Sequence, residues 1–139
     1  MQDIAIFLQH HWTLFFPLVI ILILITVLEL IKHQQGAARI SCAQLIQLIN
    51  RENAAVIDVR TTALFAEGHV IGAQSIPAPE IEKKMKTLEK LKSKPVILTC
   101  QLGHDSPKVA ALLIKEGLDA RILAGGIRAW REAGMPLVK

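Results

Sequence analysis

Apolar and polar positions along the chain fall into two regimes. From residue 12 to 31 (WTLFFPLVIILILITVLELI) almost every position is apolar and the one charge is Glu29. No face of such a segment is polar, which marks a helix surrounded by lipid more than one laid against a core, and roughly 100 following residues could hardly enclose it. Twenty residues at about 1.5 Å each span roughly 30 Å, the thickness of a bilayer's hydrocarbon, so the pattern predicts one transmembrane helix, with Pro17 tolerated inside it with or without a kink.

After Arg39 short apolar runs alternate with segments whose apolar residues recur every three or four positions. Ser41 is placed to cap a helix carrying Leu45, Leu48 and Ile49, and residues 54–59 (AAVIDV) read as a buried strand. Thr61 or Thr62 opens a short helix ending near Gly68, residues 69–77 form a loop with a brief strand at Ser75 and Ile76, and Ile81, Met85, Leu88 and Leu91 mark one helix face. A strand from Pro95 ends in Cys100; Val109, Leu112 and Leu113 line a helix stopped by Gly117; residues 120–123 (ARIL) form another strand. Gly125 and Gly126 then turn the chain into a last helix with Trp130 in its core face, ended by Gly134 and Pro136. This alternation predicts an α/β domain, a parallel sheet of about five strands with helices on both faces, behind the N-terminal transmembrane helix. Ligands of such sheets bind beyond the carboxyl ends of the strands, where Cys100 falls.

Charge adds an orientation. All sixteen Lys and Arg follow the apolar span, beginning with Lys32 and Arg39, whereas the residues before it carry only Asp3 as an ionised side chain. The positive-inside tendency places the N-terminus outside and the C-terminal domain in the cytoplasm of a single-pass protein of the plasma (inner) membrane. The organisation expected is therefore an extracytoplasmic segment 1–11, a span 12–31 in contact with lipid, a juxtamembrane linker 32–38 (KHQQGAA) and a domain 39–139. A cleavable signal peptide is the competing reading; Gly36, Ala37 and Ala38 would serve as a cleavage site, but no basic residue precedes Lys32. His10, His11 and Trp12 suit the outer interface better than a metal site, since no third ligand lies nearby. A reducing cytoplasm leaves Cys42 and Cys100 as two free thiols, with Cys42 a packing residue at a helix start.

The chemistry concentrates in residues 95–109 (PVILTCQLGHDSPKV). Pro107 suits a first helical turn and Ser106 before it is placed to cap the helix. A loop turning from a strand into a helix directs its own N–H groups and the positive helix end toward the cysteine, an arrangement that favours the thiolate, the reactive form, and would stabilise an anionic sulfur adduct. Read by itself, a cysteine closing a buried strand is as often an inert core residue.

The ordered set VIDVR (56–60), Phe65, Glu67-Gly68-His69-Val70, Gly72-Ala73, Ile76-Pro77, Cys100 with Gly103, Leu123, Gly125-Gly126, Trp130, Gly134 and Pro136 resembles the rhodanese domain, over residues 39–138. With one membrane helix in front, the chain is similar to membrane-anchored single-domain rhodaneses. The resemblance implies a sulfurtransferase in which Cys100 takes a sulfane sulfur as a persulfide and passes it to a thiol or other nucleophilic acceptor, without metal or organic cofactor. It implies that Gln101, Leu102, Gly103, His104, Asp105 and Ser106 surround that sulfur with their N–H groups. Arg60 is counted with them at the border of the site, although Asp58 and Arg60 read equally as caps and surface pairs.

Rhodanese loops often carry basic residues where this chain has Gln101 and Asp105, and no Lys or Arg lies between Cys100 and Lys108. A carboxylate at the loop mouth repels thiosulfate, a dianion, so a neutral or cationic small donor, or a protein persulfide handed over directly, fits better. His104 supplies part of the missing charge if protonated; an exposed loop histidine with no task is the alternative. Related cysteine phosphatases need an arginine at position 106, which is Ser here.

The remaining features read more plainly. His69 orders its loop through hydrogen bonds and Trp130 packs. Lys83, Lys84, Lys86, Lys90, Lys92 and Lys94 form a solvated face, with anionic lipid as second partner. Nucleic acid is not expected, since Phe65 and Trp130 are the domain's only aromatics. Two functions remain: a membrane-anchored sulfurtransferase, or a catalytically weak module of the same fold that recruits a membrane-protein partner.

Overall fold

Ser41 shows how closely local chemistry sets the architecture. Its side chain accepts from the Gln44 N–H at 3.2 Å while the Gln44 side chain accepts from the Ser41 N–H at 2.8 Å, a reciprocal cap. That cap ends a two-residue strand β1 (Arg39–Ile40) and starts helix α2 (Cys42–Glu52). In the computed structural model, which describes Ile6 and residues 11–34 and 36–139, the chain divides into two units, Met1–Gln35 and Gly36–Lys139.

The first unit holds α1 (Trp12–Gln34), with Pro17 inside it. Residues Trp12–Ile31 are long and apolar enough to cross a membrane, and their large apolar side chains are exposed. The hydroxyl of Thr26 is returned to the Leu22 carbonyl, which suits an apolar surrounding. The helix runs on through residues 32–34, the first part of the expected linker. Asp3 and His10, used above for orientation and the interface, lie outside the described residues.

In the second unit the elements follow as β2 (Ala55–Asp58), α3 (Thr62–Glu67), β3 (Gln74–Ser75), α4 (Met85–Leu88), β4 (Val96–Thr99), α5 (Ser106–Lys115), β5 (Ala120–Leu123) and α6 (Gly126–Glu132). The five strands pair in the order β1-β5-β4-β2-β3, all parallel, so β4 is central. Alternate residues serve opposite faces, as the two-residue repeat of a strand requires. Ile57, Val96, Leu98 and Ile122 join Leu88, Val109 and Leu113 of α4 and α5 in one core cluster. Val56, Ile97 and Leu123 join Leu45, Leu48, Ile127 and Trp130 of α2 and α6 in the other. Burying each Leu or Ile fully is worth about 1.5–3 kcal/mol, so the two faces together hold the sheet.

Two local expectations are corrected. The apolar side formed by Ile81, Met85, Leu88 and Leu91 exists, but the backbone reaches it through 3-10 turns at Ala78–Glu80 and Glu89–Leu91 flanking the four-residue α4. Pro79 donates no N–H, and Lys83, Lys86 and Lys90 stand three and four apart, a spacing at which like charges weaken a helix. The strand β1 is the second surprise: two residues carry no readable alternation, and it forms because the Ala124 N–H reaches the Ile40 carbonyl at 2.9 Å.

Candidate active site

Cys100 is the first residue beyond the central strand and is 1% exposed. The register of β2 on β4 sets Asp58 opposite Thr99, so the residues leaving the two strands, Arg60 and Gln101, emerge side by side. The Arg60 guanidinium grips the Asp58 carboxylate at 2.7–3.0 Å, donates to the Gly68 carbonyl at 2.7 Å and to the Gln101 side-chain oxygen at 3.3 Å. Both side chains of the Asp58–Arg60 pair are buried. The surface pair expected for these residues is thus a buried clamp. Arg60 reaches the loop through Gln101, with its charge already matched by Asp58.

The neighbouring strand β5 supplies the other support. Beyond it α6 begins at Gly126, whose φ is 61°, and the Ile127 and Arg128 N–H groups bind the carbonyls of Cys100 and Gln101 at 2.8 and 3.2 Å. A side chain at Gly126 would put its Cβ 2.1 Å from the Cys100 carbonyl oxygen, so only glycine allows this approach. In a trans peptide the carbonyl and the following N–H point opposite ways. Drawing the Cys100 and Gln101 carbonyls toward α6 therefore turns the next amides away from it. The Gly103 N–H, two residues on, donates to Cys100 Sγ at 2.8 Å. The amides of Gln101, Leu102, His104 and Asp105 have no backbone acceptor among the described residues. Successive N–H groups without acceptors are the raw material of an anion nest.

The remaining loop side chains take different places. Gln101, Leu102, His104 and Asp105 are exposed, while Gly103 and Ser106 are buried. Ser106 does not cap α5 as expected: it is the first helical residue, Asp105 takes the cap position without a side-chain bond, and the Ser106 hydroxyl has no partner among the described residues. Asp105 already has helical dihedrals, φ −84° and ψ −27°, which places Ser106 inside the first turn. His69 orders its loop: its Nδ1 lies 3.0 Å from the Phe65 carbonyl, its ring stacks on Phe65, and its backbone pairs with Val138. Cys42 is half-buried at the start of α2; burial pushes its thiol up, its own backbone N–H opposing weakly.

An open cleft of about 490 Å³ adjoins the loop, lined by Ala78, Pro79, Glu82, Asp105, Lys108, Val109 and Leu112. The sequence pointed to Asp105 alone among these, because Glu82 lies in a connection of irregular backbone that pattern does not resolve. Gly126 as a backbone contact was also missed; the glycine pair after a sheet strand was its one signal.

The sequence model of the Rhodanese-like domain matches residues 41–133. YibN of Escherichia coli strain K12 is 30% identical over the full length of this chain and 99% of its own. The thiosulfate sulfurtransferase GlpE of Pseudoalteromonas translucida is 30% identical over 68% of this chain and 89% of its own. Among solved structures, a rhodanese-related protein of Thermoplasma volcanium superposes with a TM-score of 0.67 at 31% identity, over 73% of this chain and 97% of that one.

Proposed function

This chain belongs to the Rhodanese-like domain family, and from that premise we propose that it is a membrane-anchored sulfurtransferase with Cys100 as nucleophile. The observation that carries the reading is the Gly103 N–H directed at Cys100 Sγ at 2.8 Å, in a loop whose neighbouring amides have no backbone acceptor among the described residues. Cys100 thiolate attacks the sulfane sulfur of a donor, the donor's S–S bond breaks, and its electron pair departs on the leaving sulfite or thiolate. The outer sulfur of the resulting persulfide then lies among the amides of residues 101–106, and the buried, unpartnered Ser106 hydroxyl is available to it. An acceptor thiolate takes that sulfur and Cys100 leaves as thiolate.

In this reading α1 spans the bilayer with its N-terminus outside, and the domain works at the cytoplasmic face. The exposed apolar surface of α1 and the basic residues that follow it support this arrangement. Protease protection in sealed vesicles tests it: digestion of the domain only from the cytoplasmic side is expected.

The chemistry is tested by intact mass of the full chain in detergent, after thiosulfate or a persulfide donor and then cyanide. Gain of one sulfur on Cys100, removed by cyanide and absent in Cys100→Ser, is the result expected. No adduct on a folded, reduced protein would leave a recruiting module, to be pursued by crosslinking in the membrane.

A further inference from the structure

The cleft beside the loop has two walls. Asp105, Lys108, Val109 and Leu112 stand at positions i, i+3, i+4 and i+7, one face at the start of α5. Ala78, Pro79 and Glu82, from the connection between β3 and β4, form the other. Apolar side chains thus provide its surface, and two carboxylates with one ammonium provide its charge. None of Glu82, Asp105 or Lys108 is in an ion pair with another described residue of the chain. Unmatched charges of both signs around a cleft of about 490 Å³ are the requirements of a small zwitterionic ligand. Asp105 belongs both to this cleft and to the loop that follows Cys100, so the cleft adjoins the nucleophile's loop.

Resting on the sulfurtransferase reading, we infer that this cleft selects the sulfur donor and that the donor is an amino-acid persulfide, of the class of cysteine persulfide. Its ammonium lies between Glu82 and Asp105, its carboxylate meets Lys108, and its short apolar stem lies on Val109 and Leu112. The step balances without an oxidant: Cys100–S⁻ and R–S–SH give Cys100–S–SH and R–S⁻, one S–S bond forming as another breaks. Thiosulfate offers two negative charges to the same carboxylates and nothing to fill the apolar wall.

The test is single-turnover loading of the full chain in detergent, followed by intact mass. The donors are cysteine persulfide, cysteamine persulfide (no carboxylate), 3-mercaptopropionate persulfide (no ammonium) and thiosulfate. Cysteine persulfide is expected to load about tenfold faster than the ammonium-free donor, and Glu82→Gln to remove that advantage by slowing cysteine persulfide while the ammonium-free anion loads no more slowly than before. Lys108→Met is expected to bring cysteine persulfide down to the cysteamine rate. Equal rates with all donors, equal effects of Glu82→Gln on all of them, or loading by a peptide persulfide alone would overturn the inference and leave the transfer chemistry standing. No loading by any donor would remove both.

Discussion

Arg60 donates to the Gln101 side chain from forty-one positions away, at 3.3 Å, with its three Asp58 contacts made from Nε and Nη2 on the other edge of the same guanidinium. The residue next to the nucleophile is thereby tied to the centre of the sheet by a group that has no exposed charge of its own. Arg60 acts as a positioning residue in this arrangement.

Arg60→Ala would leave the Asp58 carboxylate buried without its partner, a loss of about 3–5 kcal/mol, visible as a lower urea midpoint. Asp119→Asn breaks an exposed pair with Arg121 and should cost about 0–1 kcal/mol in the same measurement. Similar losses for the two would contradict the buried clamp.

Gly126→Ala places a methyl against the Cys100 carbonyl at a φ of 61°. Gly134→Ala has a comparable φ of 72° but no atom within 4 Å. Both variants carry backbone strain of about 1–3 kcal/mol. Sulfur loading on Cys100 should fall sharply in Gly126→Ala and stay near the parent rate in Gly134→Ala, read by intact mass on folded protein.

Asp105→Arg replaces the exposed carboxylate at the start of α5 by a cation. Loading from thiosulfate should rise by about tenfold or more, since a repulsion becomes an attraction. An unchanged rate would mean that the mouth charge does not select the donor.

Burial holds the Cys42 thiol above its usual value of 9.0, so alkylation by iodoacetamide should be slow at neutral pH and accelerate at a higher pH than for an unstructured thiol. The native state keeps this proton longer than the unfolded chain. Its contribution to stability is therefore complete below the ordinary thiol value and is lost as pH rises through the raised native one. Modified Cys42 should leave turnover on Cys100 unchanged.

The elements with strong local signals were legible in the sequence. Ser41 before its helix, the apolar run before Cys100 and the glycine after α5 each carry their instruction within a few residues. The parallel sheet followed from the alternation. What could not be read depends on contacts between distant segments: the two-residue β1 exists through β5, the burial of Asp58 and Arg60 depends on the register of β2 against β4, and Gly126 is required by a carbonyl twenty-six residues earlier. Ser106 shows the limit of a local rule, because the helical backbone begins at Asp105 and the expected cap is a buried hydroxyl inside the first turn.

The support that α6 gives to the nucleophile has a consequence for the order in which the protein is made. Residues 126–128 are made after Cys100, so the cysteine emerges on a nascent chain before the amides that hold its carbonyl exist. Until then the thiol is an ordinary cysteine on an unfinished chain. The support of the Cys100 carbonyl arrives only once α6 has been made, and a chain cut short before Gly126 would carry the cysteine without it.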